Sequence, residues 1–228
     1  MSNKWDFGQF KVEWSKAMTN TTQSTKNIAF DAVVDGYHIE NNIRNIVVQA
    51  LKEGKIQPEA IKQTLSDVLE GAFAGMETQS SKPADAIKQV IKGIDAALGQ
   101  VAEASKLAIE EASANVQDFS DHDLKRALTD LEALEGLFFD TLSEVADKGQ
   151  ESTRKTLTDL VTHLQNSGSF VGESVKQILS VLHHDLARDG RLQQIQLSDV
   201  AKATGSSFAR IASGILAGIA DSLEPNKR

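Results

Sequence analysis

An all-α bundle of six to eight amphipathic helices, several of them long, is what the sequence predicts. Three observations carry that prediction. Alanine accounts for 26 of the 228 residues, while β-branched and aromatic residues are sparse outside short clusters, so helix is favoured throughout. Apolar side chains recur three and four positions apart, the period of one helix face, and no alternating strand pattern of useful length occurs. Only three prolines occur, and Pro58 and Pro83 suit the first position of a helix, where a missing N–H costs nothing. Helices of the expected length also suit an elongated outline.

Phe7, Phe10, Trp14 and Met18 fall on one stripe of a short first helix, which the polar run Thr19-Asn20-Thr21-Thr22 interrupts. Asp35-Gly36 marks a turn. Residues 1–37 hold six of the twelve aromatics: Trp5, Phe7, Phe10, Trp14, Phe30 and Tyr37. They are read as an aromatic-rich N-terminal segment, ahead of a helical bundle over 38–223 and a disordered tail over 224–228.

The next helix runs from about His38 to Glu53 on Ile39, Ile43, Ile46, Val47, Ala50 and Leu51, with Gly54 placed to end it. Pro58 opens a helix whose stripe is Ile61, Leu65, Val68, Leu69, Ala72, Phe73 and Met76. Glu77 to Lys82 reads as a loop. From Asp85 to about Val116, Ile87, Ile91, Ile94, Leu98, Val101, Ser105, Ala108 and Ala112 alternate spacings of four and three, a seam of period 3.5 that implies a helix about 48 Å long. The seam shrinks from Ile and Leu to Ala and Ser, leaving its later half open to a close neighbour. Asp95 groups with Lys88, Lys92, Glu103, Lys106 and Glu110, away from the seam.

Ser120 and Asp123 resemble a capping box ahead of a helix on Leu124, Leu128, Leu131, Leu134, Phe138, Leu142 and Val145. That helix either breaks at Gly149 or runs on to Asn166, and Gly168 ends it in either case. Val171, Val175, Ile178, Leu179, Leu182 and Leu186 form a further face that stops near Arg188 and Gly190. Ser198 caps a last helix on Val200, Phe208, Ile211, Ile215, Ile219 and Leu223.

Composition excludes several classes of function. There is no Cys, so no disulfide, thiolate nucleophile or sulfur-ligated zinc site is available. A net charge of −8, with −10 concentrated over residues 38–200, argues against nucleic acid and against anionic membranes. The apolar run Ile211–Ala220 covers about 15 Å, half a bilayer core, so no transmembrane segment is expected. Met1 to Phe7 lead into no apolar stretch of signal-peptide length, which favours the cytoplasm. His38, His122, His163, His183 and His184 form no metal-ligand spacing, and no phosphate-binding or nucleophile-elbow motif exists. The carboxylates are scattered over polar faces, where raised pKa values are not expected without burial. No catalytic residue, cofactor site or metal site is therefore expected, and a non-enzymatic protein is.

Three segments place small residues four apart around an apolar interior: Gly71–Gly75, Gly168–Gly172 and Gly214–Gly218. Glycine inside a helix costs about 1 kcal/mol against Ala, so paired glycines need a reason. Close helix crossing is the reading for Gly71, Gly75, Gly214 and Gly218, with an adaptable apolar surface as the alternative. Asn166-Ser167-Gly168-Ser169 reads as a helix-ending loop.

The long Ala-rich helices, absent Cys, few Pro and Gly-x-x-x-Gly patches resemble phasins, the bacterial helical proteins that coat polyester storage granules, and uncharacterised bacterial helical proteins of like composition. The resemblance extends over residues 38–223 and implies an amphipathic coat on an uncharged apolar surface. His163 to Gly172 resembles the phosphoacceptor segment of histidine phosphotransfer domains, with Asn166 where that family has Lys. It implies a signalling module carrying phosphate on His163.

The residues themselves point first to an interaction or scaffold protein that binds a protein partner or itself. Trp5, Phe7, Phe10 and Trp14 at one end, and Phe208, Ile211 and Ile215 at the other, are the expected contact residues.

Overall fold

The computed structural model describes residues 24–53, 58–78, 83–114 and 121–188, and these form an all-α bundle. The helices are α1 (24–35), α2 (Ile39–Glu53), α3 (Pro58–Glu77), α4 (Pro83–Ala114), α5 (Asp121–Glu132), α6 (Leu134–Lys148), α7 (Glu151–Ser167) and α8 (Phe170–Arg188). Pro58 and Pro83 stand at the first positions of α3 and α4.

Helix α4 is the hub. It packs on α2, α3, α5, α6, α7 and α8, and most heavily on α2 and α8. This central position explains its small residues: Ala97, Ala102, Ala104 and Ala108 are all buried, beside the larger Ile94, Leu98 and Ile109. A helix surrounded on most sides cannot reserve one face for charge, so the simple division into seam and polar face fails here. Asp95 is the case in point. It is buried, only 7% exposed, instead of lying with the solvated charges.

The helix expected between Ser120 and Gly149 also needs correction, in its middle. Residues 121–148 are two segments, α5 and α6, joined at Ala133 with φ −77° and ψ −10°. The hydrogen bonds run through the joint, Ala133 N–H to Thr129 O and Leu137 N–H to Ala133 O, so it is a bend with little loss of pairing. Gly149 does end α6, and α7 turns back along it.

Helix α8 does not fold back on α7. It packs instead on α4, α5 and α6. The change of direction is made at Gly168, whose φ of +87° suits a residue without Cβ. Two polar pins fix α3 beside the α6–α7 pair: an ion pair from Lys62 to Glu144 of α6, and Gln150 Nε2, just before α7, donating to Glu77 at 2.9 Å.

One core runs through all of this, from Ala29 and Val33 of α1 to Ile178 and Leu182 of α8. Residues 24–35 are thus packed with the bundle over 38–188. No helix among the described residues is long and apolar enough to cross a membrane.

Candidate functional site

Two places in the bundle combine close backbone approach with buried charge. The first is the crossing of α1 on α3. A Cβ on Gly71 would overlap the carbonyl oxygen of Lys26, and a Cβ on Gly75 would stand 2.7 Å from the carbonyl oxygen of Phe30. Successive turns of the two helices therefore meet in parallel, backbone against backbone. Lys26 closes the crossing, donating to Glu70 at 2.7 Å and standing 3.5 Å from Asp67. Asp67 is only 3% exposed, and Gln63 Nε2 donates to it at 2.9 Å.

The second is the start of α8. The first N–H groups of a helix have no partner within it. Here Phe170 N–H and Val171 N–H donate to the two oxygens of Asp95, each at 2.8 Å, from the middle of α4. Gly172 N–H donates to Ser169 Oγ at 2.9 Å, and Glu173 N–H to Ser169 O at 3.1 Å. Ser169 Oγ in turn donates to Glu135 of α6 at 2.5 Å. All four leading amides are satisfied, and three helices are joined at one point. The absent side chain of Gly172 leaves room for the Glu135 carboxylate.

Both aspartates have raised pKa values. Desolvation by burial is the main cause in each, opposed by Gln63 and Lys26 at Asp67 and by the Val171 and Phe170 amides at Asp95. Glu135 adds to the rise at Asp95. The expectation that the carboxylates lie on solvated polar faces is thus overturned at two positions, because helix periodicity does not register burial by a neighbour packed on a minor face.

The sign of the linkage follows. A carboxyl whose folded pKa is raised contributes most below its unfolded value, near 3.8, and that contribution is lost as pH rises through the raised value. Asp95→Asn cannot ionise, so its cost relative to the parent should shrink between about pH 4 and pH 7. Urea unfolding of both proteins at the two pH values checks this; a cost that grows with pH would contradict the burial account.

Gly71 and Gly75, read from sequence as close helix-packing positions, lie together at the α1–α3 crossing. Trp5, Phe7, Phe10, Trp14, Phe208, Ile211, Ile215, Gly214 and Gly218 lie outside the described residues. His163 is exposed near the end of α7, where its carbonyl accepts from Ser167 Oγ. Asp95, Glu135 and Ser169 were not singled out by sequence. The available signal was Ser169 preceding an apolar run, a cap pattern hidden inside what reads as a loop. No group of three or more potential metal ligands occurs among the described residues.

A family model described as a family of unknown function (DUF6781) matches residues 15–225. The chain belongs to this family. The DUF6781 match spans α1 to α8 and the stretch holding Phe208, Ile211 and Ile215, while Trp5, Phe7, Phe10 and Trp14 precede it. No curated protein and no solved structure is significantly similar to the chain.

Proposed function

We propose that the chain is a non-enzymatic helical interaction or scaffold protein, acting in the cytoplasm on a protein partner or on a second copy of itself. The observation that carries this reading is the closed core. Ile43, Leu65, Leu98, Phe138 and Leu157, from five different helices, are all fully buried in one cluster. A bundle whose apolar faces are consumed internally meets partners through local patches or terminal segments. Coating an apolar surface in the manner of phasins would need those same faces turned outward.

The contact elements in this proposal are the N-terminal aromatics Trp5, Phe7, Phe10 and Trp14 and the C-terminal stripe Phe208, Ile211 and Ile215. Deleting residues 1–18 and 200–228 in separate variants should weaken partner capture or self-association, read by light scattering, in at least one of them. Unchanged association in both refutes the assignment. Co-migration of the intact protein with storage granules on a density gradient would favour the coat instead. Phosphate incorporation that disappears in His163→Ala would favour the phosphotransfer module.

A further inference from the structure

Three residues, Gly36, Tyr37 and His38, separate α1 from α2. Two of them are left-handed: Gly36 with φ +70° and His38 with φ +53°. That region is free to glycine but unfavourable for a residue with a Cβ. Among the described residues His38 is the only non-glycine in it. Asn42 holds the turn, donating through Nδ2 to Tyr37 O at 2.9 Å and through its N–H to His38 O at 3.0 Å. Tyr37 packs on little and is 78% exposed.

Nothing in the same stretch bars it from becoming helix. No proline occurs between residues 24 and 57, and a Cβ on Gly36 would meet nothing within 4 Å. With residues 36–38 helical, α1 and α2 become one rod of about 45 Å, and the N–H groups of the joint bond to carbonyls four residues back. The strain at His38 is then relieved, and α1 is carried off its own α3.

The seat left on α3 is specific. Gly71 and Gly75 receive the carbonyl oxygens of Lys26 and Phe30 where no Cβ would fit, and Asp67 and Glu70 face the Lys26 ammonium. An occupant must repeat that spacing of bare backbone and cation, and α1 of a second copy does so without adjustment. A short, strained connection between a helix and its seat is the arrangement that invites such exchange.

We propose that two copies of the chain associate by exchanging α1, with residues 36–38 straightened into helix and each α1 seated on α3 of the other copy. Exchange at α1 rests on the second-copy form of the scaffold role, but needs neither terminal segment.

Two full-length variants, Lys26→Glu and Glu70→Lys, test the exchange, each refolded from urea alone and as an equimolar mixture with one chain 15N-labelled. Both side chains are partly solvated, so neither change threatens the core. Within one chain each substitution sets like charges across the crossing. In an exchanged heterodimer one crossing regains the parent pair and the other pairs the new carboxylate with the new ammonium. Native mass spectrometry should therefore find heterodimer at least about tenfold in excess of either homodimer. Gly36→Ala should raise the dimer association constant of the parent chain about tenfold or more, because alanine disfavours the left-handed turn and favours the helix. A dimer joined only through terminal segments would respond to neither change. A Gly36→Ala chain that stays monomeric, or a mixture without excess heterodimer, overturns the exchange. Either result leaves the terminal-segment contact standing, since the separate deletions of residues 1–18 and 200–228 decide that.

Discussion

Asp95→Ala is expected to destabilise the protein by about 2–4 kcal/mol. Two effects oppose each other. The substitution strands Phe170 N–H and Val171 N–H at the start of α8, the second bond buried and the first partly so, and an orphaned buried donor costs about 1–3 kcal/mol. It also removes a carboxylate whose burial is unfavourable when charged, as the raised pKa indicates, which returns part of that loss. The stranded amides win because there are two of them and nothing else in the clamp reaches them: Ser169 is already engaged by Gly172 and Glu135. Asp95→Asn keeps one acceptor and should cost about half as much. Urea unfolding gives the magnitudes, and amide exchange at residues 170 and 171 localises the change. A loss within about 0.5 kcal/mol of zero for Asp95→Ala would mean that the clamp contributes nothing.

Gly71→Val is expected to cost about 3 kcal/mol, with detachment of α1 as its structural signature. Valine in place of glycine gains about 0.5 kcal/mol of helix propensity. Against this, its Cβ would occupy the space of the Lys26 carbonyl, which belongs to a helix backbone and cannot rotate aside. The two helices must part, and the contacts of Ala29 and Val33 with the core go with them. Gly75→Ala, whose Cβ would stand 2.7 Å from Phe30 O, should cost less, about 1–2 kcal/mol. Proteolysis near residues 24–35 should rise in Gly71→Val. A variant as stable and as protease-resistant as the parent would show that the crossing tolerates separation.

Much of the architecture was legible before any coordinates. The starts at Pro58 and Pro83, the end at Gly168, and the stripes of α2, α3 and α8 all follow from local rules, since a cap, a turn or a 3.6-residue period depends on neighbours along the chain, whereas at Gly149 those rules allow either a break or a continuous helix. Paired glycines four apart likewise raise the question of helix crossing at Gly71 and Gly75. What they cannot name is the partner, Lys26 and Phe30, some 45 residues away in sequence.

Sequence by itself thus determined the class of fold, most helix boundaries, the absence of sulfur chemistry and the uneven negative charge. Tertiary structure alone decided three further things: that α4 is surrounded by other helices, that Asp95 reaches across to cap α8, and that Gly71 and Gly75 face the backbone of α1. The physical reason is common to all three. Periodicity reports which face of a helix is apolar, but burial, capping in trans and close crossing depend on which distant segment fills the space beside it, and that is settled only when the helices pack.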